Sequence, residues 1–264
     1  MQDTTPVCLT IAGLDPSGGA GIVADIKTFS AFGCFATAAV TSVTFQNTTG
    51  VFGAEHQTAD SVRRQAKPVL EDYQVAAIKT GMLPTREIIE DVARLIHENK
   101  LKNVVVDPVV RSTSGFNLID DNALSALIEN LFPVADLITP NIPEAERISR
   151  VTITSDDDIA KAASVMLSMG AMNVLIKGGH LASTEDVRKA TDYLFMGRDL
   201  TAFESDFIET TATHGTGCTL AAAIAANLAL GKDLTDAVRI AKDFVTEAIR
   251  TAPNIGKGHS PINI

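Results

Sequence analysis

The stretch Thr213-His214-Gly215-Thr216-Gly217-Cys218-Thr219 stands directly before the apolar run Leu220-Ala221-Ala222-Ala223-Ile224-Ala225-Ala226-Asn227-Leu228-Ala229-Leu230. That run is rich in helix formers and closes at Gly231, a natural C-terminal cap. The stretch therefore reads as a glycine turn opening onto a helix. Gly215 and Gly217 let backbone N–H groups approach a ligand closely. The helix start adds unpaired N–H groups and a partial positive charge. Together these make a candidate anion site, with phosphate the natural ligand. Cys218 falls in the first helical turn, where a thiolate is favoured, so a depressed pKa and a base or nucleophile role are expected. The competing reading is a buried helix start with Cys218 as a small packing residue.

Outward from this turn, strands alternate with helices. Val7–Ala12 is an apolar, β-branched run ending at Gly13, followed by the glycine-rich turn Gly13–Gly21 and a helix from about Ile22 to Phe32. That turn matches neither the P-loop order nor the dinucleotide fingerprint. Further strands are expected at Thr37–Gln46, Ala76–Thr80, Asn103–Val106, Asp136–Ile138 and Asn173–Ile176, with an antiparallel pair at about Asp192–Met196 and Ala202–Ile208. Helices are expected at Thr58–Asp72, from Pro84 to Asn99, at Asn122–Leu131, from Ser155 to Met169 and at Leu234–Arg250. This alternation predicts an α/β fold with a mostly parallel sheet covered on both faces, in one domain over 1–264.

Polar groups recur just past the strands, where open α/β sheets bind ligands. Gln46 and Asn47 follow one strand. Gln46 can both donate and accept, which suits a heteroaromatic ring bearing an amino group. The competing reading is a turn held by its own side chains. Asp107 ends another strand, where a buried carboxylate needs a metal, a water or a phosphate-bound cation beside it. Asn141 and Glu144 follow a third strand, and Lys177 a fourth.

Composition narrows the partners. The net charge of -10 argues against nucleic acid or an anionic membrane as the main partner, since both reward clustered Lys and Arg. The cysteines are Cys8, Cys34 and Cys218, an odd number without metal-type spacing. They point to free thiols in a reducing compartment, and with no signal-type or membrane-spanning segment evident the expected setting is the cytoplasm.

Seven motifs in order carry a resemblance: Gly13-x-Asp15-x-Ser17-Gly18-Gly19-Ala20-Gly21, Gln46-Asn47-Thr48, Lys79-Thr80-Gly81-Met82-Leu83, Val106-Asp107-Pro108-Val109, Thr139-Pro140-Asn141-x-Pro143-Glu144-Ala145, Lys177-Gly178-Gly179-His180 and His214-Gly215-Thr216-Gly217-Cys218-Thr219. The chain resembles the hydroxymethylpyrimidine/phosphomethylpyrimidine kinases, the thiamine-pathway branch of the ribokinase-like superfamily. The resemblance runs from Val7 to the tail Gly256-Lys257-Gly258-His259. It implies a three-layer αβα fold with about eight or more strands, commonly a homodimer. It implies phosphorylation of 4-amino-5-hydroxymethyl-2-methylpyrimidine and then its monophosphate, using ATP and magnesium, with a monovalent cation as a further candidate.

Carried over by motif, Gly13, Ala20, Asp25, Thr44, Gln46, Met82 and Val109 would surround the pyrimidine. Asn141, Glu144, Lys177 and Gly217 would face ATP, and Asp107 and Glu144 would hold magnesium through water. Gly215, Thr216 and Gly217 would form the anion hole, Lys177 would assist, and Cys218 would take the base position. The segment Arg111–Phe116 departs from the Ala-Lys-Ser-Gly seen in many members, and Ser260 stands where Gly is usual. A pyridoxal kinase of the same superfamily is the nearest alternative. Most of those carry Asp at the Cys218 position, though a subgroup keeps Cys. A dinucleotide-dependent oxidoreductase and a non-catalytic vitamin-binding protein are more distant alternatives.

Overall fold

The computed structural model describes residues 5–110, 118–178 and 189–264. A nine-stranded sheet runs through it in the order β3-β2-β1-β4-β5-β6-β7-β8-β9. The strands are β1 (Val7–Leu14), β2 (Phe35–Asn47), β3 (Gly50–His56), β4 (Val75–Thr80), β5 (Val104–Val106), β6 (Leu137–Ile138), β7 (Asn173–Lys177), β8 (Lys189–Met196) and β9 (Asp199–Asp206). β2, β1, β4, β5, β6 and β7 pair in parallel, and β3, β8 and β9 add antiparallel edges.

Side chains alternate between two cores, as a sheet buried on both faces requires. Leu9, Ile11, Ile78, Val104, Val106 and Ile138 enter one core, while Cys8, Ala77, Val105, Leu137 and Leu175 enter the other. The first core is closed by α2 (Ala59–Asp72), α3 (Arg86–Glu98), α4 (Asp121–Ala126), α5 (Ile142–Ser149) and α6 (Asp156–Ser168). The second is closed by α1 (Gly21–Ala31), α7 (Thr216–Ala229) and α8 (Leu234–Arg250). The expected three-layer αβα arrangement is therefore present. α7 is alanine-rich and buried along nearly its whole length, because it lies flat on the sheet.

Helix starts follow the side chains that the sequence offers. Thr58, Thr85, Asp120, Ser155 and Asp233 each cap a helix by accepting a backbone N–H. Three expectations need adjustment. The helix expected from Pro84 starts at Arg86, because Thr85 takes the cap. The helix expected over Asn122–Leu131 is α-helical only to Ala126 and widens to a π-turn over Leu127–Leu131. Asn47–Gly50 is a hairpin turn leading into β3, a strand the sequence reading passed over. Asn47 accepts from Thr49 N (2.8 Å) and Thr49 Oγ1 (2.7 Å), so its side chain closes the turn. The Arg111–Phe116 segment and Gly179-His180 lie outside the described residues.

β1 is followed by a connection to one side of the sheet and β4 by connections to the other. The boundary between β1 and β4 is thus a topological switch point, where α/β sheets open a crevice at their carboxyl ends. Among the described residues, no helix is long and apolar enough to cross a membrane.

Candidate active site

A cleft of about 1230 Å³ opens along that edge. Gly13, Ala20, Thr44, Gln46, Met82, Val109, Asp107, Asn141, Glu144, Lys177, Gly215, Thr216, Gly217 and Cys218 all line it. Fourteen of the fifteen expected positions therefore meet in one place, although they come from six strand ends and three helix starts. The exception is Asp25. It is fully buried on α1, accepts from Thr10 Oγ1 at 2.6 Å and pairs with Lys79 Nζ at 2.8 Å. Lys79 reaches the cleft wall in its place, so Asp25 acts on the cleft only through that lysine. Burial alone would lower the Lys79 ammonium, but the Asp25 carboxylate, together with Cys218 and Asp107, outweighs it and holds the group above its usual value. Lys79 is a fixed cation.

The turn before α7 is built by close backbone approach. Gly215 has φ +88° and caps the helix without a side chain. A Cβ there would lie 1.8 Å from Gly19 O, so only glycine fits. Gly217 differs. Its φ is ordinary, but a Cβ would project toward Lys177 Nζ (3.2 Å) and Asp107 Oδ2 (3.7 Å). Its bare backbone thus faces a space flanked by the Lys177 ammonium. α1 also begins at the cleft, with Ala20 as a cap that offers no side-chain bond. Two uncapped helix starts converge here, and both favour an anion.

Cys218 sits between them and accepts the Gly21 backbone N–H. Its thiol is not depressed as expected from a helix start. Burial pushes it up to about 11; Lys79 opposes this, while Asp25 and Asp107 reinforce it. Loss of water outweighs the helix-start charge, so the resting group is a neutral thiol. Cys8 and Cys34 are buried.

On the far side, Lys177 Nζ donates to Asp107 Oδ1 at 2.9 Å, and Thr139 Oγ1 donates to the same oxygen at 3.2 Å. The partner that Asp107 needs is thus a lysine. Glu144 and Asn141 form a capping box on α5: Glu144 N donates to Asn141 Oδ1 (2.9 Å) and Asn141 N to Glu144 Oε2 (2.9 Å). Val110 N also donates to Glu144 Oε1 at 3.3 Å. Burial pushes the Glu144 carboxyl up to about 7; Lys177 opposes this and Asp107 adds to it. Among the described residues, no three His, Cys, Asp or Glu side chains gather to hold a metal directly. Two carboxylates already engaged with protein donors suit a cation that keeps its own waters.

The sequence reading gave no role to Asp15 or His214, which both line the cleft. Asp15 ties the glycine-rich turn, accepting from Ser17 N, Ser17 Oγ and Ala20 N at 2.7–2.9 Å. His214 Nε2 lies 2.7 Å from Asp15 Oδ2 and joins this turn to the one before α7. Both stand inside quoted motifs, so the signal was present; what it lacked was the knowledge that residues 199 positions apart touch. Ser260, unexplained by sequence, is buried, accepts from Ile255 N at 3.1 Å and offers its carbonyl to His214 N at 3.3 Å.

Comparison with known proteins identifies the family. Residues 15–263 match the phosphomethylpyrimidine kinase family. The hydroxymethylpyrimidine/phosphomethylpyrimidine kinase of Bacillus subtilis is 46% identical over 255 residues, covering 97% of this chain and 93% of that one. A phosphomethylpyrimidine kinase structure from Clostridium difficile superposes with a TM-score of 0.81 at 40% identity, covering 93% of this chain and all of that one (100%). An ADP complex of Bacillus subtilis pyridoxal kinase superposes with a TM-score of 0.89 at 38% identity, covering 98% and 97%. With likeness of this extent in both sequence and fold, the chain belongs to the phosphomethylpyrimidine kinase family.

Proposed function

We propose that this chain transfers the γ-phosphoryl group of ATP to the hydroxymethyl group of 4-amino-5-hydroxymethyl-2-methylpyrimidine, and then phosphorylates the monophosphate, in thiamine biosynthesis. The observation that carries this reading is the convergence of a bare helix start at Gly217 with the Lys177–Asp107 pair, opposite a wall holding Gln46, Thr44 and Met82. One wall suits phosphate, and the other suits a small amino-substituted ring.

Phosphoryl transfer passes through a loose transition state, so the protein positions and neutralises more than it reacts. The N–H groups at Gly215–Gly217 meet charge on the transferring oxygens, and Lys177 adds a fixed cation. Asn141 and Glu144 face the nucleotide from the start of α5. Asp107 and Glu144 would hold magnesium through its waters, and the ion would supply charge neutralisation at the phosphates. A monovalent cation is part of the family reading, and no particular residue is assigned to it. Gln46 pairs with the ring nitrogen and amine, while Gly13, Ala20, Met82 and Val109 shape the apolar faces. Cys218 stands where the hydroxyl proton leaves. With its thiol up at about 11, it contributes less as a base than a preformed thiolate would.

A homodimer is part of the same reading. Phe45 and Phe52 on the β2–β3 hairpin are 53% and 68% exposed and support an interface at that edge. Three free cysteines fit a cytoplasmic setting. The decisive experiment follows ADP release with the aminopyrimidine alcohol and with pyridoxal side by side. Faster turnover of the pyrimidine is expected. Preference for pyridoxal would replace this reading with the pyridoxal kinase alternative.

A further inference from the structure

The polar chain behind Gln46 fixes more than its position. Thr44 Oγ1 lies 3.0 Å from Leu14 O, a carbonyl that can only accept, so the single hydroxyl proton of Thr44 is committed there. Thr44 Oγ1 is also 3.1 Å from one end of the Gln46 amide. With its proton used, Thr44 can only accept from that end, which must therefore be the NH₂. The other end of the amide lies 3.3 Å from His214 Nε2. Asp15 is surrounded by donors: Ser17 N, Ser17 Oγ, Gly19 N and Ala20 N. Burial raises its carboxyl, but His214 and Ser17 outweigh this and hold it below the usual range, so it is ionised. An ionised carboxylate 2.7 Å from His214 Nε2 requires that nitrogen to carry a proton. That proton points mainly at Asp15, but a nitrogen that bears one has no lone pair to offer an amide N–H, so the amide end beside it must be Oε1, which can share the same proton. Both ends give the same answer, and amide orientation is settled by such partners.

We infer that His214, held by Asp15, is a positioning residue for substrate selection: together with Thr44 it fixes the Gln46 amide with Oε1 toward His214 and the NH₂ toward Thr44. The remaining N–H and the remaining lone pair then face the cleft in one order. A ring with an acceptor nitrogen on the Thr44 side and a donor amine on the His214 side is accepted. A lactam edge, N–H beside C=O, presents the reverse order and is rejected. The imidazole cannot swing away. A Cβ at Gly19 would lie 2.4 Å from His214 Cδ2, so the ring already packs on that backbone. His214 N also donates to Ser260 O at 3.3 Å, and His214 bridges to Pro261. The C-terminal tail thus clamps the histidine from the other side.

This inference rests on the aminopyrimidine reading, and its test separates the two. The full chain is titrated calorimetrically with the 4-amino-5-hydroxymethylpyrimidine and with its 4-oxo counterpart. The wild type is expected to favour the amino ring by about 100-fold or more. His214→Leu removes this partner and leaves Thr44 alone to orient the amide, so the ratio should fall by about fivefold to tenfold. His214→Gln keeps a side-chain donor and should hold most of the wild-type ratio. An unchanged ratio in His214→Leu overturns the inference. A measurement on the wild type needs no variant: two-bond ¹⁵N–¹H correlation should show a proton on Nε2 of His214. An unprotonated Nε2 overturns the inference even if His214→Leu does not fold. If the wild type binds neither ring, the functional reading fails, and the Nε2 proton still decides the orientation of the amide.

Discussion

Replacing Gly217 with alanine separates the anion site from the fold. The backbone at Gly217 is already helical, so alanine strains nothing there and in a helix gains up to about 1 kcal/mol over glycine. Its methyl would stand 3.2 Å from Lys177 Nζ and 3.7 Å from Asp107 Oδ2. Lys177 must yield by a few tenths of an ångström, which offsets part of that gain. Stability should stay within about 1 kcal/mol of wild type, or roughly 2–4 °C in Tm. The same methyl occupies the space a phosphoryl oxygen must enter to reach the N–H groups of the turn. Loss of one such donor costs about 10²–10³ in kcat, or about 2.7–4 kcal/mol. The assay is ADP release under saturating substrates, with Tm measured on the same preparation. Gly215→Ala is the contrast. At φ +88° with a Cβ 1.8 Å from Gly19 O, it should lose more than about 2 kcal/mol of stability. Wild-type kcat in a folded Gly217→Ala protein would refute the placement of the anion at this turn.

Three further outcomes are expected. Gln46→Leu should weaken binding of the pyrimidine by about 1–3 kcal/mol while the affinity for an ATP analogue holds, as read by calorimetry. Lys79→Met removes the cation beside fully buried Asp25 and should cost about 3–5 kcal/mol in urea unfolding; adding Asp25→Leu should recover much of it, since the pair is then replaced by apolar groups. With the Cys218 thiol at about 11, only about one molecule in 10⁴ carries a thiolate at pH 7. Its alkylation should therefore be slow at neutral pH and rise about tenfold per pH unit toward 11, with bound pyrimidine protecting it. Cys218→Ala should then lower kcat by less than about 10²-fold. Fast labelling at pH 7 together with a much larger loss would restore the preformed base.

The fold was legible because its signals are local. Strands such as Val104–Val106 and Asn173–Lys177 are short apolar runs, and caps such as Thr58 and Ser155 announce helix starts within three residues. The glycines of the turn before α7 were legible as a close approach, and the position of Gly215 against Gly19 supports that. The β3 strand was missed because Gly50–His56 is a half-exposed edge with no buried run to mark it.

By itself, the sequence determined the alternation of strands and helices, the family, and the set of residues gathered at the sheet's carboxyl edge. These depend on periodicity, caps and motifs, which are properties of neighbours along the chain. Tertiary structure alone decided that Asp25 stands behind Lys79, that Asp107 pairs with Lys177 and that His214 meets Asp15 and Gln46. It also decided the state of Cys218. A helix start predicts a thiolate, but the sequence does not state how much water the fold removes. That desolvation, summed over every element packed around the sulfur, outweighs the local charge and keeps the proton on.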